Sequence, residues 1–313
     1  MVLGAFIAAS ALSMEMIEES LIHFKDHWAQ DQIMKNNFVA SWLVYALFSG
    51  LLAVLAATLT TYWGPGAAGS GVAEVIGYVN GVNYPETISV RSLFTKIFGV
   101  VLAIAGSLCI GKEGPLAHIG ANWGAAVIYM GGEHSKFLQN DQKKRYFIAA
   151  GSSAGVSLAF GAPIGGALFI FELSKNPFWK FSLLWKTFLA SSSAVFFLAL
   201  FESIVHSKTA HWTSSVLKFG EIRTSDVTPT DIIPGAIIIG AICGLLGAFF
   251  ISVNTKINVY RAKYITAKWQ KLIDAFVFAF ATATCFYWAS NLFQSCVPRL
   301  VLLPDGKQVE VAF

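Results

Sequence analysis

The chain has 313 residues, of which 55% are hydrophobic and only 13% are charged, and its mean hydropathy is +0.60. Soluble domains carry roughly 25% charged residues, so this sequence has too little charge to cover a globular surface. The net charge of +4 is modest and the basic residues lie in short loops, which argues against a nucleic-acid partner. We therefore predict an all-α, polytopic membrane protein.

Four apolar runs are long enough to cross the hydrocarbon core of a bilayer, which takes about 20 residues. They cover residues 38–62, 183–205, 232–253 and 273–293. The cysteines lie inside or beside such runs, which predicts that they are buried free thiols.

The remaining apolar segments are short and are interrupted by Gly and Pro. They cover residues 93–110, 116–129, 147–160 and 164–171. This pattern predicts half-length helices that meet at breaks inside the membrane, at residues 69–71, 111–115 and 161–163. Non-helical backbone at membrane depth is tolerated only where protein buries it or where it lines an aqueous cavity. The breaks at 69–71 and 111–115 are therefore the candidate ion sites, whereas the break at 161–163 is a tight reversal to which we assign no ligand.

Basic residues flank residues 146–174 on both sides. Lys143, Lys144 and Arg145 precede this segment, and Lys175, Lys180 and Lys186 follow it. Because cytosolic loops carry an excess of Lys and Arg, we predict that the segment enters and leaves on one face as a re-entrant hairpin.

Residues 106–112 resemble a phosphate-binding loop, but Glu113 replaces the Ser or Thr that would bind magnesium, and no βαβ unit surrounds it. A helix start explains the segment better. Gly111 and Gly114 free the backbone, Pro115 suits a first helical turn, and the amides of that turn attract an anion. A charged Glu113 can occupy the anion position and can leave it when protonated or displaced. The alternative is that Glu113 simply caps the helix.

Ser70 lies between Gly69 and Gly71, just before a short amphipathic helix predicted over residues 72–80. Its hydroxyl can either cap that helix or bind an anion, and the triplet by itself favours capping.

Signals of enzyme chemistry are missing. His118 and His134 have no partners at metal-ligand spacing, and no nucleophile is paired with a general base. We therefore predict no enzyme activity, no metal and no cofactor.

Three segments together resemble the signature sequence of the CLC family of chloride channels and chloride/proton exchangers. They are residues 69–74, 111–115 and 151–166, and their order and spacing also fit. The resemblance extends from about the first helix to Phe293 and is closest to the intracellular-organelle branch. It implies a CLC-type fold with broken and re-entrant helices, chloride as the transported ion, the lipid bilayer as the surroundings and a homodimer.

The resemblance also implies roles for individual residues. Ser70 would be the anion-coordinating serine, a residue associated with chloride over nitrate selectivity, and the amides around Gly71 and Val72 would supply a positive helix end. Glu113 would be the gating glutamate. The backbone beside it would complete the anion site, at Gly111, Lys112, Gly114 and Pro115.

Leu173 stands where the exchangers of the family have their internal proton-transfer glutamate. Aligned without gaps from Gly165 and Gly166, Glu172 matches the first of two consecutive glutamates, and Leu173 matches the second. We therefore predict a channel. The alternative is a chloride/proton antiporter of intracellular organelles that uses Glu172 as its proton route, and the second alternative is a truncated, non-conducting subunit.

The resemblance divides the chain into three parts. Residues 1–230 would form the first membrane repeat, residues 231–297 the opening helices of an inverted second repeat, and residues 298–313 a polar loop. We expect a fragment, because the second-half filter segment and cytosolic CBS domains of the family have no counterpart after residue 297. The protein would be a multi-pass protein of an intracellular organelle membrane or the plasma membrane.

Overall fold

The computed structural model of the protein describes residues 1–84, 86–130, 140–174, 181–206, 229–292, 299–302 and 308–311. Helices dominate these residues, as predicted. They are α1 (Val2–Met34), α2 (Phe38–Thr58), α3 (Val72–Val79), α4 (Val90–Ala105), α5 (Glu113–Met130), α6 (Asp141–Phe160), α7 (Pro163–Leu173), α8 (Phe181–His206), α9 (Pro229–Tyr264) and α10 (Lys268–Leu292). After α2 the chain continues through a π-helical turn, Leu59–Trp63, and a 3-10 turn, Pro65–Ala67.

Among the described residues, four helical stretches are long and apolar enough to cross a membrane. They are Phe38–Trp63, Leu183–Val205, Ile232–Tyr264 and Lys268–Ala289. Each coincides with or overlaps one of the four predicted spans, so the sequence pattern located them correctly.

The interrupted region differs from the prediction in the length of its helices. The sequence predicts half-length helices, but α5 has 18 residues and α6 has 20, which at 1.5 Å per residue gives about 27–30 Å. Helix α6 begins at Asp141, before the apolar run that starts at residue 147, because the Lys and Arg residues in between favour helix. The Asn140 side chain also caps this start by accepting a 3.0 Å hydrogen bond from the Gln142 amide.

A tight reversal joins α6 to α7. Gly161 ends α6 with φ 64° and ψ 24°, a left-handed conformation that suits glycine, and Pro163 begins α7. The 11 residues of α7 span only about 16 Å and cannot cross a core of about 30 Å. The structure thus shows the predicted reversal between α6 and α7, while entry and exit on one face of the membrane stay a prediction, and Lys175 and Lys180 lie outside the described part of the chain.

The backbones of α5 and α6 lie unusually close together. Gly120 and Gly151 face each other, and a Cβ atom on either would collide with the carbonyl group of the other. Gly124 and Gly155 are equally close to the opposite backbone. These small residues at four-residue spacing allow the approach, and this contact sets the position of the start of α5.

A continuous apolar core joins α1, α4, α5, α6 and α8. Its fully buried side chains include Ile7, Leu93, Leu116, Leu158 and Leu198.

Three cysteines are exposed instead of buried, at Cys109, Cys243 and Cys285. Apolar runs do not distinguish a core-facing from an outward-facing position, and so the prediction of buried thiols was wrong for these three.

The last described residues form an antiparallel pair of strands, β1 (Arg299–Leu302) and β2 (Gln308–Val311), where we expect a polar loop over residues 298–313. Arg299 pairs with Val311, and Leu302 pairs with Gln308. The alternation of Val with polar residues suits strands. The turn over residues 303–307 lies outside the described residues, and the division of the chain at residues 230 and 297 stays a prediction.

Candidate functional site

The break before α3 and the break before α5 lie side by side. A Cβ atom built on Gly114 would lie 2.9 Å from the Cβ of Ser70 and 3.5 Å from Cγ2 of Val72. The two segments are far apart in the sequence, so the fold alone brings them together. The residues predicted from the two motifs therefore lie next to each other.

The backbone before α3 adopts a conformation that requires glycine. Gly69 has φ 71° and Gly71 has φ 82°, and Gly71 begins α3 by accepting a 3.0 Å hydrogen bond from the Val75 amide. The Val72 amide lies 3.4 Å from the Ser70 hydroxyl, which is longer than an ordinary hydrogen bond. The cap on α3 is therefore weak, and the exposed Ser70 hydroxyl can bind another partner.

Lys96, on α4, holds this turn from behind and was missed by sequence reasoning. Its Nζ atom donates hydrogen bonds to the carbonyls of Ala67 at 2.6 Å and Gly69 at 2.7 Å, and the residue is 2% exposed. A lysine inside an apolar segment is a functional candidate by default, and that signal could have identified it. The contact places a positive charge directly behind Ser70.

His118, on α5, connects the two helix starts. Its ring is fully buried, and Nε2 lies 3.0 Å from the carbonyl of Thr87. A Cβ atom on Gly71 would collide with Nδ1 of this ring, which has no hydrogen-bond partner among the described residues. Gly71 is thus required both by its positive φ and by the lack of space.

Glu113 is the first residue of α5, where the positive end of the helix lies. Its half-buried side chain folds back, so that a Cβ atom on Gly111 would collide with Oε2 of the carboxylate. Within the described part of the chain, the carboxylate accepts no hydrogen bond from an amide of the first turn. The carboxylate of Glu113 therefore lies near the start of α5, but no hydrogen bond from a first-turn amide among the described residues holds it there.

A cavity of about 790 Å³ opens onto both breaks. Its lining includes Ser70, Gly111, Lys96 and, from α9, Arg261, which forms an ion pair with Asp274. Because Asp274 neutralises Arg261, the Lys96 ammonium group is the cation at this cavity that no ion pair neutralises among the described residues, and a positive charge there attracts anions.

Nothing in the described residues could hold a metal ion, since they contain no cluster of three or more His, Cys, Asp or Glu side chains at suitable distances. His134 lies outside these residues.

Glu172 and Leu173 lie away from this cavity, at the other end of α3. The Asn80 side chain follows α3 and donates hydrogen bonds to the carbonyls of Ile76 at 2.9 Å and Leu173 at 3.0 Å. Glu172 is exposed, whereas Leu173 is half-buried. Because α3 has eight residues, about 12 Å of helix separates Leu173 from the break at Ser70.

The fold and the site define a polytopic membrane protein with discontinuous helices, two of which begin at one basic cavity. The sequence model of the voltage gated chloride channel family matches residues 51–311. The chain belongs to this family, and the predicted CLC resemblance is confirmed.

Curated relatives carry the names of transporters and channels. H(+)/Cl(-) exchange transporter 7 of Bos taurus is 31% identical over 309 residues, which cover 94% of this chain and 38% of that protein. Chloride channel protein D of Dictyostelium discoideum is 31% identical over 311 residues, which cover 97% of this chain and 30% of that protein. The chain therefore spans well under half the length of these relatives.

Two solved structures share the fold. A slow cyanobacterial Cl-/H+ antiporter matches with a TM-score of 0.70 and 22% identity, over 90% of this chain and 62% of the other. A eukaryotic CLC transporter matches with a TM-score of 0.71 and 23% identity, over 95% and 50% of the two chains. At these identities the likeness concerns the fold alone, and it confirms the predicted fold class.

Proposed function

We propose that this multi-pass protein conducts chloride passively through a CLC-type pore gated by Glu113. One observation carries the proposal: the starts of α3 and α5 meet, so that Ser70 and the residues on either side of Glu113, Gly111 and Pro115, line one cavity. Helix starts offer backbone amides and a partial positive charge, which suit a small anion. The relatives named as chloride channels and exchange transporters support chloride as the ion.

The role of Glu113 follows from competition between two anions. Its carboxylate stands at the start of α5, is folded towards Gly111 and makes no amide hydrogen bond among the described residues. In the proposed mechanism the charged carboxylate occupies the anion position and closes the pore. Chloride displaces the carboxylate by competing for the same position, and a proton displaces it by neutralising its charge.

Ser70, Gly71 and Val72 form the other side of the proposed anion site. The Ser70 hydroxyl is exposed and only weakly used as a cap, so it is free to donate to chloride. The amides around Gly71 and Val72 and those after Gly114 add the two helix ends. The protein would work without metal or cofactor and would catalyse no reaction.

Glu113→Ala provides the direct test. In liposomes containing the protein at the full length of its transcript, we expect a chloride flux that no longer depends on external pH and voltage, because the competing carboxylate is gone. Gating that is unchanged in this variant would exclude Glu113 as the gate. Absence of chloride flux in both the unmodified protein and the variant would refute the proposed function itself.

A chloride/proton exchanger is the second candidate, since a relative is named an H(+)/Cl(-) exchange transporter. We favour the channel, because the Leu173 side chain offers neither a proton donor nor an acceptor. Glu172 points about 100° away around the helix and is exposed.

Reversal potentials under a pH gradient distinguish the two candidates. A channel follows the chloride gradient alone, and we expect Leu173→Glu to introduce a proton flux. Uphill proton movement driven by chloride in the unmodified protein would establish the exchanger. Residence in an intracellular organelle membrane and assembly as a homodimer belong to this proposal in either case.

A further inference from the structure

We propose that Glu18 on α1 is a positioning residue for the gate, because it anchors Lys112 and thereby the backbone that carries Glu113. The inference rests on the proposed gating role of Glu113. It assigns part of the control of the gate to α1, a helix that contributes none of the described residues lining the cavity.

A nearly buried ion pair makes the connection. The Nζ atom of Lys112 lies 3.0 Å from Oε1 of Glu18, and the two side chains are 17% and 9% exposed. Lys112 immediately precedes Glu113, and its carbonyl accepts the 2.8 Å hydrogen bond from the Leu116 amide that begins α5. An anchor on the Lys112 side chain therefore fixes both the start of α5 and the residue next to the gate.

A second contact from α1 holds the opposite end of the same connection, residues 106–112. Lys25 donates hydrogen bonds to the Ala105 carbonyl at 2.9 Å and to the Ser107 hydroxyl at 2.8 Å. Lys25 lies two helical turns after Glu18, about 10 Å along α1. One helix thus holds the end of α4 and the start of α5 at the same time.

The connection between these anchors has little freedom of its own. Ser107 has φ 60°, and its hydroxyl lies 3.1 Å from that of Ser49. The Leu108 amide donates to the Ala103 carbonyl at 3.1 Å, and the Ile110 amide donates to the Leu108 carbonyl at 2.8 Å. Because the middle is bonded as well, a displaced Lys112 moves the start of α5 instead of being absorbed by a loose loop.

Charge gives the pair a second effect on the gate. Glu18 neutralises an ammonium group that is one residue away from the gating carboxylate. Loss of Glu18 removes the carboxylate that contacts this ammonium group, which then attracts the Glu113 carboxylate and chloride more strongly. Loss of Lys112 removes the anchor and leaves Glu18 uncompensated. Both changes should alter the balance between Glu113 and chloride.

A double-mutant cycle tests the proposal, with gating measured as the opening rate and its chloride dependence in the protein at the full length of its transcript. We expect Glu18→Gln and Lys112→Gln to shift the opening rate in the same direction, each roughly tenfold, and the double variant to shift it no further, because both variants lose the same contact and contacting residues are coupled. Exchange of the pair, Glu18→Lys with Lys112→Glu, should recover most of the normal rate.

Asp31→Asn is the matched control, since Asp31 is an exposed acid on the same helix, about 20 Å along α1 from Glu18. It should leave gating unchanged. Thermal melting of every variant in detergent separates an effect on folding from an effect on the gate. Coupling in melting without coupling in gating would make the pair merely structural and overturn the positioning role.

The outcomes also separate this inference from the proposed function. Additive effects of the single variants, or normal gating in both while Glu113→Ala still changes gating, would remove Glu18 from the mechanism and leave the gate in place. If Glu113→Ala also gates normally, both proposals fail.

Discussion

The two breaks that face the cavity are held by buried lysines, but the charges around them differ. At the α3 break, Lys96 donates to the carbonyls of Ala67 and Gly69 and forms no ion pair among the described residues. At the α5 break, Lys25 donates to the Ala105 carbonyl, and the charge of Lys112 is neutralised by Glu18. At the α3 break the Lys96 ammonium group therefore contacts carbonyls and has only a more distant carboxylate near it, that of Glu74 on α3. At the α5 break the Lys112 ammonium group is in contact with a carboxylate, and the acidic Glu113 follows it directly.

This difference suits the proposed anion site. Inside a membrane, the backbone carbonyls at a helix break need a hydrogen-bond donor from the protein, because no water is available. A lysine supplies that donor together with a positive charge. The α3 side would then attract the anion, while the α5 side holds the group that competes with it. Each of the following predictions tests one part of this division.

The largest effect is expected from Lys96→Met. The change keeps the volume but leaves two carbonyls without a donor, which should lower the free energy of unfolding by about 2–5 kcal/mol. Lys25→Met removes a donor from only one carbonyl and one hydroxyl, and should cost less. Thermal melting in detergent measures both, and the exposed Lys35 provides the control Lys35→Met. Equal melting of Lys96→Met and the control would show that the α3 break is not held by this lysine.

A matched pair of glycines should give the next largest effect. Both Gly69 and Gly71 have a positive φ, but a Cβ atom on Gly69 meets nothing within 4 Å, whereas one on Gly71 collides with His118. Gly69→Ala should therefore cost only the backbone strain, about 1 kcal/mol. Gly71→Ala should cost about 2–4 kcal/mol, because packing strain is added. Similar melting temperatures for the two variants would contradict the close packing of α5 against α3.

The smallest effect should come from Ser70→Pro, which removes a hydroxyl donor from the α3 side without changing any charge. We expect the ratio of nitrate to chloride permeability to rise several-fold, because the lost hydrogen bond of about 1 kcal/mol favours chloride. Bi-ionic reversal potentials measure the ratio, and Ser89→Ala, at the cap of α4, is a control outside the cavity. An unchanged ratio would return Ser70 to the role of a simple helix cap.

The sequence by itself determined the class of the protein, the four spans and the positions of the breaks. These follow from local properties: apolar run length, the freedom of Gly and the fixed φ of Pro. It also placed Glu113 at a helix start, since Gly111, Gly114 and Pro115 lie beside it. The lengths of the helices were harder to predict from the sequence, because charged residues at the start of α6 continue the helix beyond the apolar run.

Only the tertiary structure decided which groups hold these breaks. Lys25 bonds to groups 80 and 82 residues away along the chain, and Lys96 bonds to carbonyls 29 and 27 residues before it. The sequence shows that these lysines, Glu18 and His118 are present, but no local pattern pairs them with their partners. The packing of the helices sets those pairs, and a buried charge is tolerated only where packing brings it a partner.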